Sequence, residues 1–470
     1  MTEDFKVNKI CCIGAGYVGG PTMAVIASNC PDIQVTVVDI DEKRISAWND
    51  NDLKNLPVFE PGLDEIVKRC RGINLHFSID IDNAIANSDM IFLSVNTPTK
   101  ETGIGAGQAS DLKWIEISAR RVAKNAQGKT IVVEKSTLPV KTAETIKKIL
   151  DSSKNDQFSN KKEFFVLSNP EFLAEGTAIN DLQNPDRVLI GGEDKSAMLS
   201  LSQIYESWVP KEKIIFTNIW SSELAKLTSN AFLAQRVSSI NSISAICEVT
   251  GADIREVSGG LGKDSRIGSK FLEAGPGFGG SCFKKDILNL VYLAEYFGLN
   301  EVAKFWEGVV NINNWQQNRI SEIVVKKLFG TVTNKKLVIL GFAFKSNTND
   351  TRESAAITIC KNLLLEGANL IIHDPKVKPE QIENDLQIKQ VSDKNNEFHF
   401  NQQSGQWIFS KNLNIFDNAH AVIVLTEWDD YKNIEWDSAA KSMVKPSWVF
   451  DARSIVNVDL VKKSGMNMWS

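Results

Sequence analysis

Six short apolar runs alternate with helix-length stretches over the first 215 residues: "KICCIG", "QVTVVD", "MIFLSVN", "TIVVEKS", "FFVLSNP" and "VLIGG". This alternation predicts parallel strands joined by crossover helices, because a helix is the usual way to return a chain to the start of a parallel neighbour. The pattern breaks at Trp220, where a stretch without Gly or Pro runs to about Val249. It predicts one long helix, with Ser221 as its N-cap and Gly251 as its stop. At ~1.5 Å per residue such a helix spans about 45 Å, long enough to join two domains. The strand pattern resumes in "NKKLVILGFAFK" and "GANLIIHDP".

At 470 residues the chain exceeds what one core supports. The expected fold is α/β: two doubly wound, Rossmann-like domains joined by a helical central domain with a long connecting helix. The expected bounds are 1–215, 216–330 and 331–470. Lys9–Asp39 and Lys335–Asp374 form a weak internal repeat of strand, Gly turn, helix and strand ending in Asp. The second copy has only Gly341 at its turn, so it can share the fold without binding a dinucleotide. The polar stretches 151–162 and 392–412 are expected to be surface loops.

The net charge is −5 with no long basic block, which argues against nucleic acid and anionic membranes as partners. The opening "MTEDFKVNK" lacks an apolar signal-peptide core, and no apolar run approaches membrane-spanning length. Seven cysteines lie scattered at 11, 12, 30, 70, 247, 282 and 360, without CxxC or Cys/His metal spacing, and there are only four histidines. The expectation is a reduced, cytoplasmic, metal-free protein whose acid–base chemistry leans on Asp, Glu or Lys.

"CCIGAGYVGG" places G-x-G-x-x-G at Gly14, Gly16 and Gly19 directly after an apolar strand. Gly14 permits the tight turn, Gly16 lets backbone approach a pyrophosphate, and Gly19 allows close helix–strand packing. Asp39 follows Gly19 by 20 residues at the end of "VTVVD", where a carboxylate holds a ribose 2′-hydroxyl and repels a 2′-phosphate. The cofactor expected is therefore NAD. Ligands of such sheets sit at the carboxyl ends of the strands, where "SVNTPT" (94–99), "EKSTLP" (134–139) and "SNPEFLAEG" (168–176) end three of them. The last brings Glu171 and Glu175 to that edge.

"PGFGGSCFKKD" (276–286) surrounds one cysteine with glycines. Ser281 is a candidate cap for the following helix, which would leave Cys282 in its first turn. A helix N-terminus stabilises a thiolate by only ~0.3–1 kcal/mol, less than one pKa unit at ~1.4 kcal/mol per unit. Activation must then draw on a neighbouring base or cation, with Lys284, Lys285 and Asp286 as local candidates. A thiol paired with NAD has a specific chemical meaning. Oxidising an alcohol to an aldehyde needs no thiol, whereas oxidising an aldehyde further requires a tetrahedral carbon, which thiolate addition creates. Lys226 and Asn230, four residues apart on the long helix, share a face. In one pocket they could stabilise an oxyanion; alone, such a pair reads as a solvated face.

The segments "GAGYVGGPT", "SVNTPT", "EKSTLPV", "LSNPEFLAEGTAI", "NPDRVLIGG", "WSSELAKLTSNAFLAQR", "GFGGSCFKKD" and "ILGFAFKSNTNDTRES" occur in order along nearly the whole chain. Together they resemble the UDP-glucose/GDP-mannose dehydrogenase family. The resemblance implies oxidation of UDP-glucose to UDP-glucuronate with two NAD and no release of aldehyde. By that resemblance Cys282 is the nucleophile, and Lys226 and Asn230 stabilise the oxygen on the reacting carbon. Asp286 and Thr137 hold a water for proton transfer, and Glu171 assists thioester hydrolysis; the base of the first oxidation stays open. It also implies that Gly14, Gly16, Gly19, Asp39, Arg44, Thr97, Ser136, Thr137, Glu175, Lys285 and Arg352 touch NAD. Phe172, Leu173, Lys270, Phe271, Phe278, Phe344, Lys345 and Arg453 would touch UDP or glucose. Arg266 would reach the sugar bound to a neighbouring subunit, and the long helix would be the seam of at least a homodimer. Two rivals stand beside this reading: a sibling acting on GDP-mannose or a UDP-N-acetylhexosamine, and a silent NAD-binding scaffold or redox sensor.

Overall fold

The computed structural model describes residues 5–152, 162–391, 398 and 404–470. They divide into two compact units, Met1–Ser229 with Leu288–Asn300, and Asn230–Ile287 with Glu301–Ser470.

The first unit is built on an eight-stranded sheet: β1 (Lys9–Ile13), β2 (Gln34–Val38), β3 (Leu75–Ser78), β4 (Met90–Leu93), β5 (Lys129–Glu134), β6 (Glu163–Ser168), β7 (Val188–Gly192) and β8 (Ile214–Thr217). Their order is β3-β2-β1-β4-β5-β6-β7-β8. The six strands expected from the apolar runs are all present, and β3 and β8 are added at the two edges. Both edge strands are only partly buried: β3 buries Leu75 and Phe77, and β8 buries Ile214 while Ile215 and Phe216 stay exposed.

One pairing departs from the parallel expectation: β7 pairs antiparallel with β6, and β8 runs parallel to β7 in the same reversed direction. Between β6 and β7 lies a long loop and a helix of only six residues, Ala178–Gln183. At ~1.5 Å per residue that helix covers about 9 Å, too short to return the chain along a strand of ~20 Å. The apolar side chains alternate across the sheet. Cys12 joins the core on one face with Ile10, Val35 and Phe92, and Cys11 joins the other with Ile91, Leu93 and Val132.

The second unit carries a six-stranded parallel sheet: β9 (Lys336–Leu340), β10 (Asn369–His373), β11 (Gln406–Phe409), β12 (Ala421–Val424), β13 (Trp448–Asp451) and β14 (Asn467–Trp469). The order is β11-β10-β9-β12-β13-β14, the doubly wound arrangement in which the chain reverses direction beside the first strand. The expected loop 392–412 needs correcting in part, because Gln406–Phe409 is the edge strand β11 with Trp407 fully buried. Likewise Asp151 and Ser152 close a helix, Thr142–Ser152. The remainder of those two stretches falls largely outside the described residues. Helix Asn300–Lys327 sends Ile320 and Val324 into the second core.

The long helix runs from Ile219 to Thr250. Its cap is Asn218, whose Oδ1 accepts the Ser221 N–H at 2.8 Å, so Ser221 lies inside the first turn and is not the N-cap. Gly251 ends it with φ 81° and an N–H bonded to the Cys247 carbonyl. Among the described residues, no helix is long and apolar enough to cross a membrane. Nor does any group of three or more His, Cys, Asp or Glu form a cluster that could hold a metal.

Candidate active site

The glycine turn after β1 is tight because of what surrounds it. A Cβ on Gly14, at φ +111°, would lie 2.2 Å from the Ser94 carbonyl oxygen, and one on Gly19 would lie 2.0 Å from the Gly14 oxygen. Gly16 differs, since a Cβ there meets nothing within 4 Å and the space beside it is open. Asp39 Oδ2 accepts the Ala15 N–H at 2.8 Å and pairs with Arg44 at 3.0 Å, while Oδ1 accepts the Asp41 N–H. The Thr97 hydroxyl donates to the Thr137 carbonyl and the Ser136 hydroxyl to the Val95 carbonyl, which ties the loops after β4 and β5 together. Glu175 lies in the loop after β6, where the neighbouring Gly176 and Ala178 N–H groups both bond to buried Glu60. These residues fit NAD.

The repeat in the second unit reproduces the turn and closes it. The Gly341 N–H reaches the His373 carbonyl at 2.8 Å, as Gly14 reaches Val38 in the first unit. Its acid, Asp374, is saturated by the N–H groups of Phe342, Ala343, Lys376 and Val377 and the Trp428 indole. A carboxylate so occupied has little capacity left for ribose hydroxyls.

Still in the first unit, Glu171, Thr137 and Lys226 come together out of water. Glu171 Oε1 accepts the Thr137 hydroxyl at 3.2 Å and lies 3.4 Å from Lys226 Nζ. Lys226 is 3% exposed and Glu171 6%, so the solvated-face reading of Lys226 does not hold. Glu171 Oε2 is buried and meets no donor among the described residues. A buried acceptor in that state is completed by water or a ligand. Phe172 lies under both Lys226 and Arg187, whose guanidinium sits 3.9 Å from the ring centre.

The thiol loop belongs to the second unit. Cys11, Cys12, Cys30, Cys70, Cys247 and Cys360 are buried free thiols, and only Cys282 is partly open to solvent. Burial pushes the Cys11 thiol up to about 12 and raises that of Cys360 further, which leaves both inert. The glycines before Cys282 are required by neighbouring backbone and ring: a Cβ on Gly279 would lie 2.6 Å from the Glu353 carbonyl oxygen and 2.9 Å from Phe344 Cβ. Helix Phe283–Tyr296 begins immediately after Cys282. The Cys282 carbonyl accepts the Asp286 N–H at 2.9 Å. Cys282 therefore precedes the first turn instead of lying in it, and Ser281 Oγ is 3.5 Å from the sulfur. Asp286, 1% exposed, accepts Asn230 Nδ2 at 2.6 Å and pairs with Lys285 at 2.7 Å. Lys284 pairs instead with Glu353.

Arg453, at the end of β13, donates to the carbonyls of Leu425 and Phe344 and lies 3.2 Å from Glu427. Lys345 sits over the Phe344 ring. Phe278 and Phe271 flank Phe283, and Phe271 holds φ 62°. The Lys270 carbonyl accepts Arg236, the Arg352 guanidinium pairs with Asp350, and Leu173 is half-buried. Arg266 projects into solvent with its guanidinium on Asp264. Sequence reasoning missed Asn313, which grips both the N–H and the carbonyl of Phe278. It also missed Arg187, Glu60 and the facing acids Glu134 and Glu223. None carried a usable signal: Asn313 shares the buried face of its helix with Gln316, Gln317 and Ser321, so a polar residue there does not stand out from the pattern.

Residues 8–209 match the NAD binding domain of the UDP-glucose/GDP-mannose dehydrogenase family, 220–315 its central domain, and 338–458 its UDP binding domain. Over 458 residues the chain is 55% identical to UDP-glucose 6-dehydrogenase of Gallus gallus, covering 96% of this chain and 90% of that one. It is 53% identical to UDP-glucose 6-dehydrogenase of Drosophila melanogaster, covering 98% and 95%. UDP-glucose 6-dehydrogenase 4 of Arabidopsis thaliana is also 53% identical, with 98% and 96% covered. Among solved structures, a UDP-glucose dehydrogenase from Pyrobaculum islandicum superposes with a TM-score of 0.82 at 26% identity, covering 100% of this chain and 99% of that one.

Proposed function

The chain belongs to the UDP-glucose/GDP-mannose dehydrogenase family, and on that premise we propose that it oxidises UDP-glucose at C6 to UDP-glucuronate through Cys282. It is an NAD-dependent oxidoreductase. The observation that carries the thiol reading is the contrast among seven cysteines: six are sealed in cores, and Cys282 alone stands partly open at a helix start beside buried Asp286.

NAD, when bound, takes up a hydride in each of the two oxidations. The Cys282 thiolate adds to the C6 aldehyde; a C–S bond forms and the carbonyl oxygen takes the charge. Lys226 supplies a cation to that oxygen and Asn230 an amide N–H, its other amide hydrogen being held by Asp286. Once the second oxidation has left a thioester, water attacks C6, the C–S bond breaks and the thiolate leaves. Glu171 takes the proton of that water through its unpartnered oxygen, while Asp286 and Thr137 hold the water that serves in proton transfer. Asp39 and Arg44 read the cofactor ribose; Gly14, Gly16, Gly19, Thr97, Ser136, Glu175, Lys285 and Arg352 complete its contacts. Phe172, Leu173, Lys270, Phe271, Phe278, Phe344, Lys345 and Arg453 receive the UDP-sugar.

Three functional segments, 1–215, 216–330 and 331–470, divide the work. The enzyme is a cytoplasmic homodimer or larger assembly, with the exposed Phe232, Ile246 and Val249 of the long helix forming its seam and Arg266 reaching a neighbouring substrate. The test is the number of NADH formed per UDP-glucose in the wild type and in Cys282→Ser. Two NADH in the wild type and no sustained turnover in the variant are expected. One NADH in the wild type, or two in the variant, refutes the thioester route.

A further inference from the structure

Glu134 ends β5 and Glu223 lies in the second turn of the long helix; both belong to the first unit and both are buried, at 1% and 3% exposure. Among the described residues neither oxygen of Glu134 meets a donor; what faces them is the Glu223 carboxyl. Two ionised carboxylates in contact inside a dry core repel strongly, so one proton must be shared between them. Its position follows from the other bonds. Glu223 Oε2 accepts the Lys141 N–H and Oε1 the Ala143 N–H, each at 2.8 Å. Ala143 lies in the first turn of helix Thr142–Ser152, where N–H groups lack intrahelical acceptors and the helix field favours an anion. Glu223 therefore holds the charge, and Glu134 holds the proton and donates it. Burial first, and then the Glu223 charge, push the Glu134 carboxyl well above the usual range.

These bonds close a ring around one loop. Residues 135–140 leave β5 beside Glu134 and return at Lys141 and Ala143, and both ends are fastened to Glu223. Lys141 holds φ 77°, a conformation that costs a non-glycine residue ~1 kcal/mol or more unless its surroundings enforce it. The loop carries Ser136 and Thr137, and Thr137 donates to Glu171. Glu171 pairs with Lys226, one turn beyond Glu223 on the same helix. We infer that the Glu134–Glu223 pair is a proton-locked clamp that positions Ser136 and Thr137 against Lys226, making Glu134 a positioning residue for the reaction. The functional consequence rests on the reading of Thr137 and Lys226 given above; the clamp itself does not.

The other charged groups around Glu134 are committed elsewhere. Lys135 Nζ is bonded to Asn169 and Tyr205, and Lys141 Nζ lies over the Phe297 ring. Glu144 pairs with Lys148, and Lys226 with Glu171. The flanking strand positions opposite Glu134 are Leu93 and Ser168. Ionising Glu134 therefore sets it against Glu223 with no compensating cation, and the clamp opens as pH rises.

The test compares wild type with Glu134→Gln, whose amide still donates to Glu223 and cannot ionise. Amide exchange at Lys141 and Ala143, corrected for its intrinsic pH dependence, should rise at least tenfold in the wild type at alkaline pH and stay level in the variant. The wild-type kcat/KM for NAD should fall over the same range, and the variant should keep it. Infrared spectra at neutral pH should show a protonated carboxyl band in the wild type that the variant lacks. Exchange that stays level in the wild type, an equal alkaline rise in Glu134→Gln, or the absence of that band overturns the clamp. Should the variant fail to fold, the wild-type exchange and infrared measurements decide by themselves. Neither depends on turnover, so loss of the proposed activity and loss of the clamp are told apart.

Discussion

Asn313 offers the sharpest test of how the thiol loop is held. The residue is 3% exposed on helix Asn300–Lys327 and grips Phe278 like a second backbone: Oδ1 accepts the Phe278 N–H at 2.7 Å and Nδ2 donates to its carbonyl at 3.1 Å. Phe278 is itself buried, four residues before Cys282. Asn313→Ala strands both backbone groups, and a buried donor or acceptor left without a partner costs ~1–3 kcal/mol. Water entering the space left by the amide recovers part of this, giving a net loss of about 2–4 kcal/mol. For a body of this size 1 kcal/mol moves Tm by ~2–4 °C, so the melting temperature should fall by roughly 5–15 °C. Calorimetry and urea unfolding measure the loss. Alkylation of Cys282 should also change in rate, because the loop carrying it is no longer pinned. A loss under about 0.5 kcal/mol, the range of neutral surface substitutions, together with an unchanged alkylation rate, would refute the account of the loop.

Two further outcomes follow. Asp39→Asn removes the charge that repels a 2′-phosphate and releases Arg44 from its 3.0 Å ion pair, so the NAD/NADP ratio of kcat/KM should drop at least tenfold, about 1.4 kcal/mol; an unchanged ratio means Asp39 does not read the ribose. His373 is buried against the Tyr431 hydroxyl at 2.9 Å, and burial lowers its pKa. The unfolded chain then binds a proton that the folded chain refuses, so this contribution to stability is complete above ~6.5, the unfolded value, and is lost as pH falls from there toward the lowered folded value. Urea midpoints should decline more steeply over that interval in the wild type than in His373→Gln, and parallel curves would exclude the effect.

Much of this protein was legible as pattern. Strands of a parallel sheet are buried on both faces, so "KICCI", "MIFL" and "KLVIL" stand out as continuous apolar runs. The glycine turn with Asp39 was equally plain, because tight backbone approach leaves no alternative residue at Gly14 and Gly19. What stayed hidden was every feature made by partners distant in the chain. The antiparallel β7 depends on where a short helix leaves the chain. The roles of Asn313, Glu60 and the Glu134–Glu223 pair depend on backbone groups or carboxyls that are dozens of residues away in sequence. An Asn or Glu in a one-dimensional string looks the same whether solvated or sealed. By itself the sequence determined the class of fold, the dinucleotide turn and which cysteine to watch, since local geometry and apolar periodicity are written residue by residue. Only the tertiary structure decided which polar groups lie out of water. Burial is where a carboxylate must find a donor, a cation or a proton, and that requirement fixes what each of these side chains does.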